Sequence, residues 1–118
     1  MRGWSDMAYD EELADRLRAL LAGEPGVRES RMFGGLAFLV DGHLAVAASG
    51  QGGLMLRVDP ADTDQLVDGD LVTRMEMRGR AMDGWLRVAS DAVAADDALA
   101  RWAAYGVAFV RTLPPKPM

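Results

Sequence analysis

Leu13, Leu17, Leu20 and Leu21 recur at i, i+4, i+7 and i+8, a spacing that predicts an amphipathic helix over residues 10 to 22. Asp10, Glu11 and Glu12 stand at its positive dipole end, and Gly23 followed by Glu24-Pro25-Gly26 stops it. From Val27 to Val58 the hydrophobic period shifts to two, which predicts four antiparallel strands near residues 27 to 33, 36 to 41, 43 to 48 and 54 to 58. Asp41-Gly42 is the strongest hairpin signal, because a two-residue turn needs positive φ. Gly34-Gly35 marks a bulge or tight bend. Ser49-Gly50-Gln51-Gly52-Gly53 is a connection, since no lysine or helix start follows it as in a phosphate-binding loop.

Asp59-Pro60 predicts a helix start, with Asp59 as cap and Pro60 at the first position. That helix is short, ending by Asp68-Gly69 and burying little beyond Leu66 and Val67. Strands over residues 71 to 77 and 84 to 89 follow, joined by a connection from Arg78 to Asp83. Leu99, Trp102, Phe109, Val110 and Leu113 keep helical spacing from Asp96 to Leu113, where Pro114-Pro115 terminates the helix. The order α-β-β-β-β-α-β-β-α predicts an α+β fold, an antiparallel sheet flanked by helices. Leu36, Phe38 and Val40, with Leu54, Leu56 and Val58, face the helices, and Phe33 or Phe38 fills the core. Leu39, Met55 and Arg57, with small alanines, face the other way. Residues 1–6 are expected as a disordered lead, 7–115 as a single domain and 116–118 as a frayed tail.

The 118 residues, 50% of them hydrophobic, suffice for one core without metal or disulfide support. With no cysteine, thiol chemistry and disulfides are excluded, and His43 as the sole histidine removes any metal site needing two imidazoles. His43 follows the Asp-Gly turn, where solvent exposure is expected rather than a poised base. Asp62, Asp64, Asp68 and Asp70 lack the glycine and distal glutamate of a calcium loop and predict a solvated acidic face. No catalytic residue, cofactor or metal site is therefore expected, and the chain does not read as an enzyme. Its 18 acids against 13 bases disfavour nucleic acid as a partner on its own. No apolar run has the length of a membrane span and no leader signal is evident, so a cytoplasmic protein is expected.

Arg74, Arg78, Arg80 and Arg87 are the one basic concentration, opposed locally by Glu76 and Asp83. Local ion pairs are the first expectation and an acidic protein partner the second. A third is DNA phosphate, contacted together with Lys116. Met32, Met55, Met75, Met77 and Met82 sit in or beside strands, where methionine serves cores and adaptable binding surfaces alike. Met75 and Met77 share one face of their strand, and Trp85 and Arg87 share one face of theirs. A small-molecule or enzymatic pocket between the sheet and the long helix, around Trp85 and Trp102, is the remaining alternative.

Five segments carry a family likeness. Arg31-Met32-Phe33-Gly34-Gly35-Leu36-Ala37-Phe38 with Asp41-Gly42, and Leu54-Met55-Leu56-Arg57-Val58-Asp59, come first. Met77-Arg78-Gly79-Arg80-Ala81-Met82-Asp83-Gly84-Trp85, Ala98-Leu99-Ala100-Arg101-Trp102 and Leu113-Pro114-Pro115-Lys116 follow in order. Together, from Met7 onward, they resemble the N-terminal domain of the TfoX/Sxy competence regulators, here without the C-terminal helical domain of the full-length proteins. The resemblance implies a small secretion-chaperone-like α+β domain and no established catalytic residues. It also implies a role in transcriptional control of competence, alongside the cyclic-AMP receptor protein. The expectation is a non-enzymatic regulatory or protein-interaction domain, engaging a protein partner such as a transcription factor or a second copy as a homodimer. Its expected surface comprises Met55, Arg74, Met75, Met77, Arg78, Arg80, Met82, Trp85 and Arg87.

Overall fold

The leucine stripe does form a helix, α1 (Glu11–Leu21), with the Asp10 carboxylate accepting a 3.1 Å hydrogen bond from the Leu13 amide. The computed structural model describes residues 9–32 and 34–116; the expected lead over residues 1–6, Phe33, and the last two residues of the tail lie outside them. Leu13, Ala14, Leu17 and Leu21 are buried, whereas Leu20, expected in the stripe, is 41% exposed.

Four strands follow: β1 (Val27–Met32), β2 (Gly35–Val40), β3 (His43–Ala48) and β4 (Leu54–Arg57). Asp41 and Gly42 take φ of 52° and 88° and close the central hairpin. A 3-10 turn, Pro60–Asp62, leads into α2 (Thr63–Leu66), with the Asp59 carboxylate capping the Ala61 amide at 2.9 Å. Strands β5 (Val72–Met77) and β6 (Arg80–Val88), a 3-10 turn at Ser90–Val93, and α3 (Asp96–Val110) complete the chain. The six strands form one antiparallel sheet in the order β1-β2-β3-β4-β6-β5, so the fold is α+β. Among the described residues no helix is long and apolar enough to cross a membrane.

The main core lies between one sheet face and the helices. Leu17 of α1 and Leu99, Ala103, Val107 and Val110 of α3 pack on Leu36, Phe38, Val40, Val46, Leu54, Leu56, Leu86 and Val88. The strand residues assigned to the core from their alternation, Leu36, Phe38, Val40, Leu54, Leu56 and Val58, are all there.

Four local expectations are corrected. The connection from Arg78 to Asp83 is a two-residue turn, because Arg78 adopts a left-handed φ of 53° beside Gly79 at 79°, and β6 begins at Arg80. The Asp83-Gly84-Trp85 segment is then a bulge: the β5–β6 register passes from Arg74 opposite Leu86 to Met75 opposite Met82. α3 ends at Val110, not Leu113, since the Thr112 and Leu113 amides already bond three residues back, to Phe109 and Val110. The residue that α2 buries is Thr63, whereas Leu66 and Val67 are only half-buried. The expected fraying at Lys116 is also not seen, because its amide donates to the Asp41 carbonyl at 2.9 Å.

Candidate functional site

Strand alternation places Ala37, Ala47, Met55, Arg87 and Thr73 at successive paired positions across five strands, on the sheet face turned away from the main core. Ala37, Leu44, Ala47 and Met55 are buried there as a second apolar cluster, and Met32, Leu39, Met75 and Trp85 pack half-exposed against it. Among the described residues no helical one belongs to this cluster. Small alanines and flexible methionines close over one another where a helix would otherwise lie. Beside it Arg57, paired with Trp85 across β4 and β6, holds its guanidinium 5.1 Å from the Trp85 ring and 5.8 Å from that of Phe109.

A cavity of about 510 Å³ opens on this face, lined among others by Met32, Ala47, Gln51, Met55, Met75 and Arg87. One end is fixed by the loop Ser49–Gly53. The Ser49 amide bonds the Gly53 carbonyl at 3.0 Å, and the Ser49 hydroxyl accepts from the Gln51 amide at 3.1 Å. Gly53 has φ of 71°, and a Cβ there would stand 2.5 Å from the Val88 carbonyl oxygen, so only glycine fits. This loop turns the Gln51 and Gly52 carbonyls toward Arg87, whose Nη2 lies 3.5 Å from each. The Arg87 Nε is buried without a hydrogen-bond partner, and among the described residues no carboxylate pairs with the guanidinium.

The residues expected to form one surface are divided by the fold. Met55 is a buried floor, 5% exposed, rather than a contact side chain. Met75 and Met82 are paired and half-buried, and Trp85 and Arg87 share their face of the sheet. Met77, 42% exposed, pairs with the exposed Arg80 beside the exposed turn residue Arg78. Arg74 lies opposite the core residue Leu86, and its guanidinium is held by Asp64 and by Asp83 at 2.8 Å. Those two hydrogen bonds, Asp83 first, raise its pKa further above the ordinary arginine value. Lys116, bonded to Asp41, is at the other end of β3 from the loop that meets Arg87, so it does not extend a row of cations. Trp102 packs on the main core and Trp85 on the second cluster, so the two tryptophans do not frame a common pocket.

His43 is 9% exposed, contrary to the expected exposure: its Nε2 donates to the Pro114 carbonyl at 2.7 Å and holds the chain's last described turn against β3. Asp64, Asp68 and Asp70 lie exposed, as expected, and three of the four acids around α2 also accept hydrogen bonds. Asp62 accepts from the Tyr105 hydroxyl and Asp64 from Arg74. The Asp68 carboxylate accepts from the Val72 and Asp70 amides, which hold its pKa below the usual carboxylate value. Among the described residues no group of three or more His, Asp or Glu side chains is placed to hold a metal ion. The parts the sequence did not announce are Leu44, brought to this face by a register shift between Phe38 and Leu39, and the Gln51 and Gly52 carbonyls. The glycine-rich loop was their one visible sign.

No curated protein and no solved structure matches the chain. A family model described as the TfoX N-terminal domain matches residues 19–110, from the end of α1 to the end of α3, and takes in both sheet faces and the Arg87 cavity. With most of its length matched in this way, the chain belongs to the TfoX N-terminal domain family.

Proposed function

We propose that this chain is a non-enzymatic regulatory domain that binds a partner protein on the sheet face turned away from its main core, in transcriptional control of the kind linked to its family. The observation that carries this reading is the second apolar cluster, with Met32, Leu39, Met75 and Trp85 half-exposed on it and, among the described residues, no helix over it. A contiguous apolar patch rimmed by polar groups is characteristic of an interaction surface, and methionine, tryptophan and arginine are enriched in the centres of such surfaces. The exposed Met77 extends the patch toward the β5–β6 turn.

A photo-crosslinking amino acid placed at Met77, and separately at the exposed Arg101 of α3, tests this in cells of the source. A discrete protein adduct from position 77, absent from position 101 and lost when Leu39→Glu is added, is the expected result. Equal capture from both positions, or none from position 77, overturns the reading. Adducts containing two copies of this chain alone would replace it with self-association.

A further inference from the structure

We infer that the segment docked on this face is an acidic, apolar peptide whose carboxylate enters the cavity at Arg87; the inference rests on the docking reading above. The chain carries a net charge of -5, yet strand register gathers Arg28, Arg57 and Arg87 on this face with Leu39, Trp85 and Met55 as their cross-strand partners. Arg87 is the one of these three with a buried guanidinium nitrogen that has no partner among the described residues. Its two carbonyl contacts are long, its Nε has no acceptor, and the single carboxylate lining the cavity, Glu76, makes no ion pair with it.

A partly desolvated guanidinium without a counter-charge is costly, and a carboxylate offers two oxygens to its planar fork. The cavity volume lies within the range that receives a ligand group; Met32, Ala47, Met55 and Met75 form its apolar part, and Ser49, Gln51, Thr73, Arg74 and Glu76 its polar part. An incoming segment therefore meets a cation bordered on one side by Met32, Met55 and Met75, which matches a carboxylate next to apolar side chains. A second copy presenting the same face would set arginine against arginine, a like-charge pairing that opposes self-association through this surface. Nucleic acid would supply anions but not the apolar neighbours, and the net charge of the chain repels it.

The test uses the full chain, isotopically labelled, with the Arg87 Nε–H and the methionine methyl resonances followed by NMR. The probes are an N-acetylated, C-amidated peptide alternating leucine and glutamate, its leucine–glutamine counterpart, sodium acetate, and a short DNA duplex. The glutamate peptide is expected to shift the Arg87, Met55 and Met75 signals saturably and to bind at least about tenfold more tightly than the glutamine peptide. Arg87→Gln should make the two peptides equal, and Arg87→Lys should restore part of the difference in a chain whose spectrum reports the same fold.

Equal binding of both peptides to the unaltered chain overturns the carboxylate inference and leaves the docking reading standing. Binding of neither peptide overturns the inference too, and position-77 crosslinking then decides the docking reading separately. Acetate producing the same shifts at the same concentration assigns the cavity to free small carboxylates instead. Tighter binding of the duplex at these residues assigns the face to nucleic acid.

Discussion

The Thr63 hydroxyl accepts a buried 2.8 Å hydrogen bond from the Gly84 amide while donating its own proton to the Pro60 carbonyl at 2.9 Å. One side chain thus ties α2 to the bulge in β6 and satisfies an amide that leaves the strand ladder there. Thr63→Val keeps the shape and removes the acceptor. It should destabilise the fold by about 1–3 kcal/mol, the cost of a buried unpaired amide. Urea unfolding measures it, and a loss below about 0.5 kcal/mol, inside the ordinary surface range, would show that the bond does not carry this load.

Gly106 on α3 is where the helix comes closest to the sheet. A Cβ there would stand 2.6 Å from the Ala45 carbonyl oxygen and 2.7 Å from Leu56 Cδ1. Ala45 lies in the β2–β3 irregularity, so its carbonyl cannot retreat without disturbing the pairing around Phe38 and Leu39. Gly106→Ala gains about 1 kcal/mol of helix propensity. The clash should exceed that gain and leave the variant about 1–3 kcal/mol less stable. A thermal melt at or above that of the parent chain would mean α3 can lift off the sheet freely.

Burial, and then the hydrogen bond to Asp62, push the Tyr105 phenol from 10.0 to about 12. The folded chain therefore keeps a proton that the unfolded chain gives up. The resulting stability is complete below pH 10 and is lost as the pH rises toward 12. Tyr105→Phe should flatten that alkaline decline in urea midpoints, and the phenolate absorbance of Tyr105 should appear only near the upper limit. Identical pH profiles for parent and variant would contradict the assignment.

The main core was legible because alternation and helical spacing both act on large side chains: Leu17, Phe38, Leu56 and Leu99 each sit where their periodicity assigns them. The open face was half legible. Leu39, Met55 and Arg57 alternate away from the helices as read from the sequence, but whether Met55 is covered depends on Leu44 and Met75 from other strands. Long-range register decides that, and the shift between Phe38 and Leu39 leaves no mark in composition. Arg87 was visible as a charge and not as an unpaired one. Its neighbours Gln51 and Gly52 are over thirty residues away in sequence, and Asp83, only four residues from Arg87 along the chain, pairs with Arg74 instead. The burial of His43 is hidden from local pattern for a similar reason, since its partner Pro114 is 71 residues distant.

The two tight hairpins give a matched comparison and a last prediction. Asp41-Gly42 and Arg78-Gly79 have nearly the same first φ, 52° and 53°, and both are followed by a glycine at positive φ. Aspartate suits that left-handed position, because its short polar side chain bonds locally, and the Asp-Gly pair announced the first hairpin from sequence. Arginine has no such compensation, which is why the second hairpin looked like a longer connection. Arg78→Asn should relieve the strain and stabilise the fold by about 0.5–1 kcal/mol, whereas Arg78→Val, β-branched at positive φ, should lose stability. Arg78 is exposed and makes no ion pair among the described residues, so its own contacts do not offset the gain. Urea midpoints for the three chains should fall in the order asparagine, arginine, valine. An asparagine variant weaker than the parent would mean that the Arg78 side chain contributes more to the turn than its backbone costs.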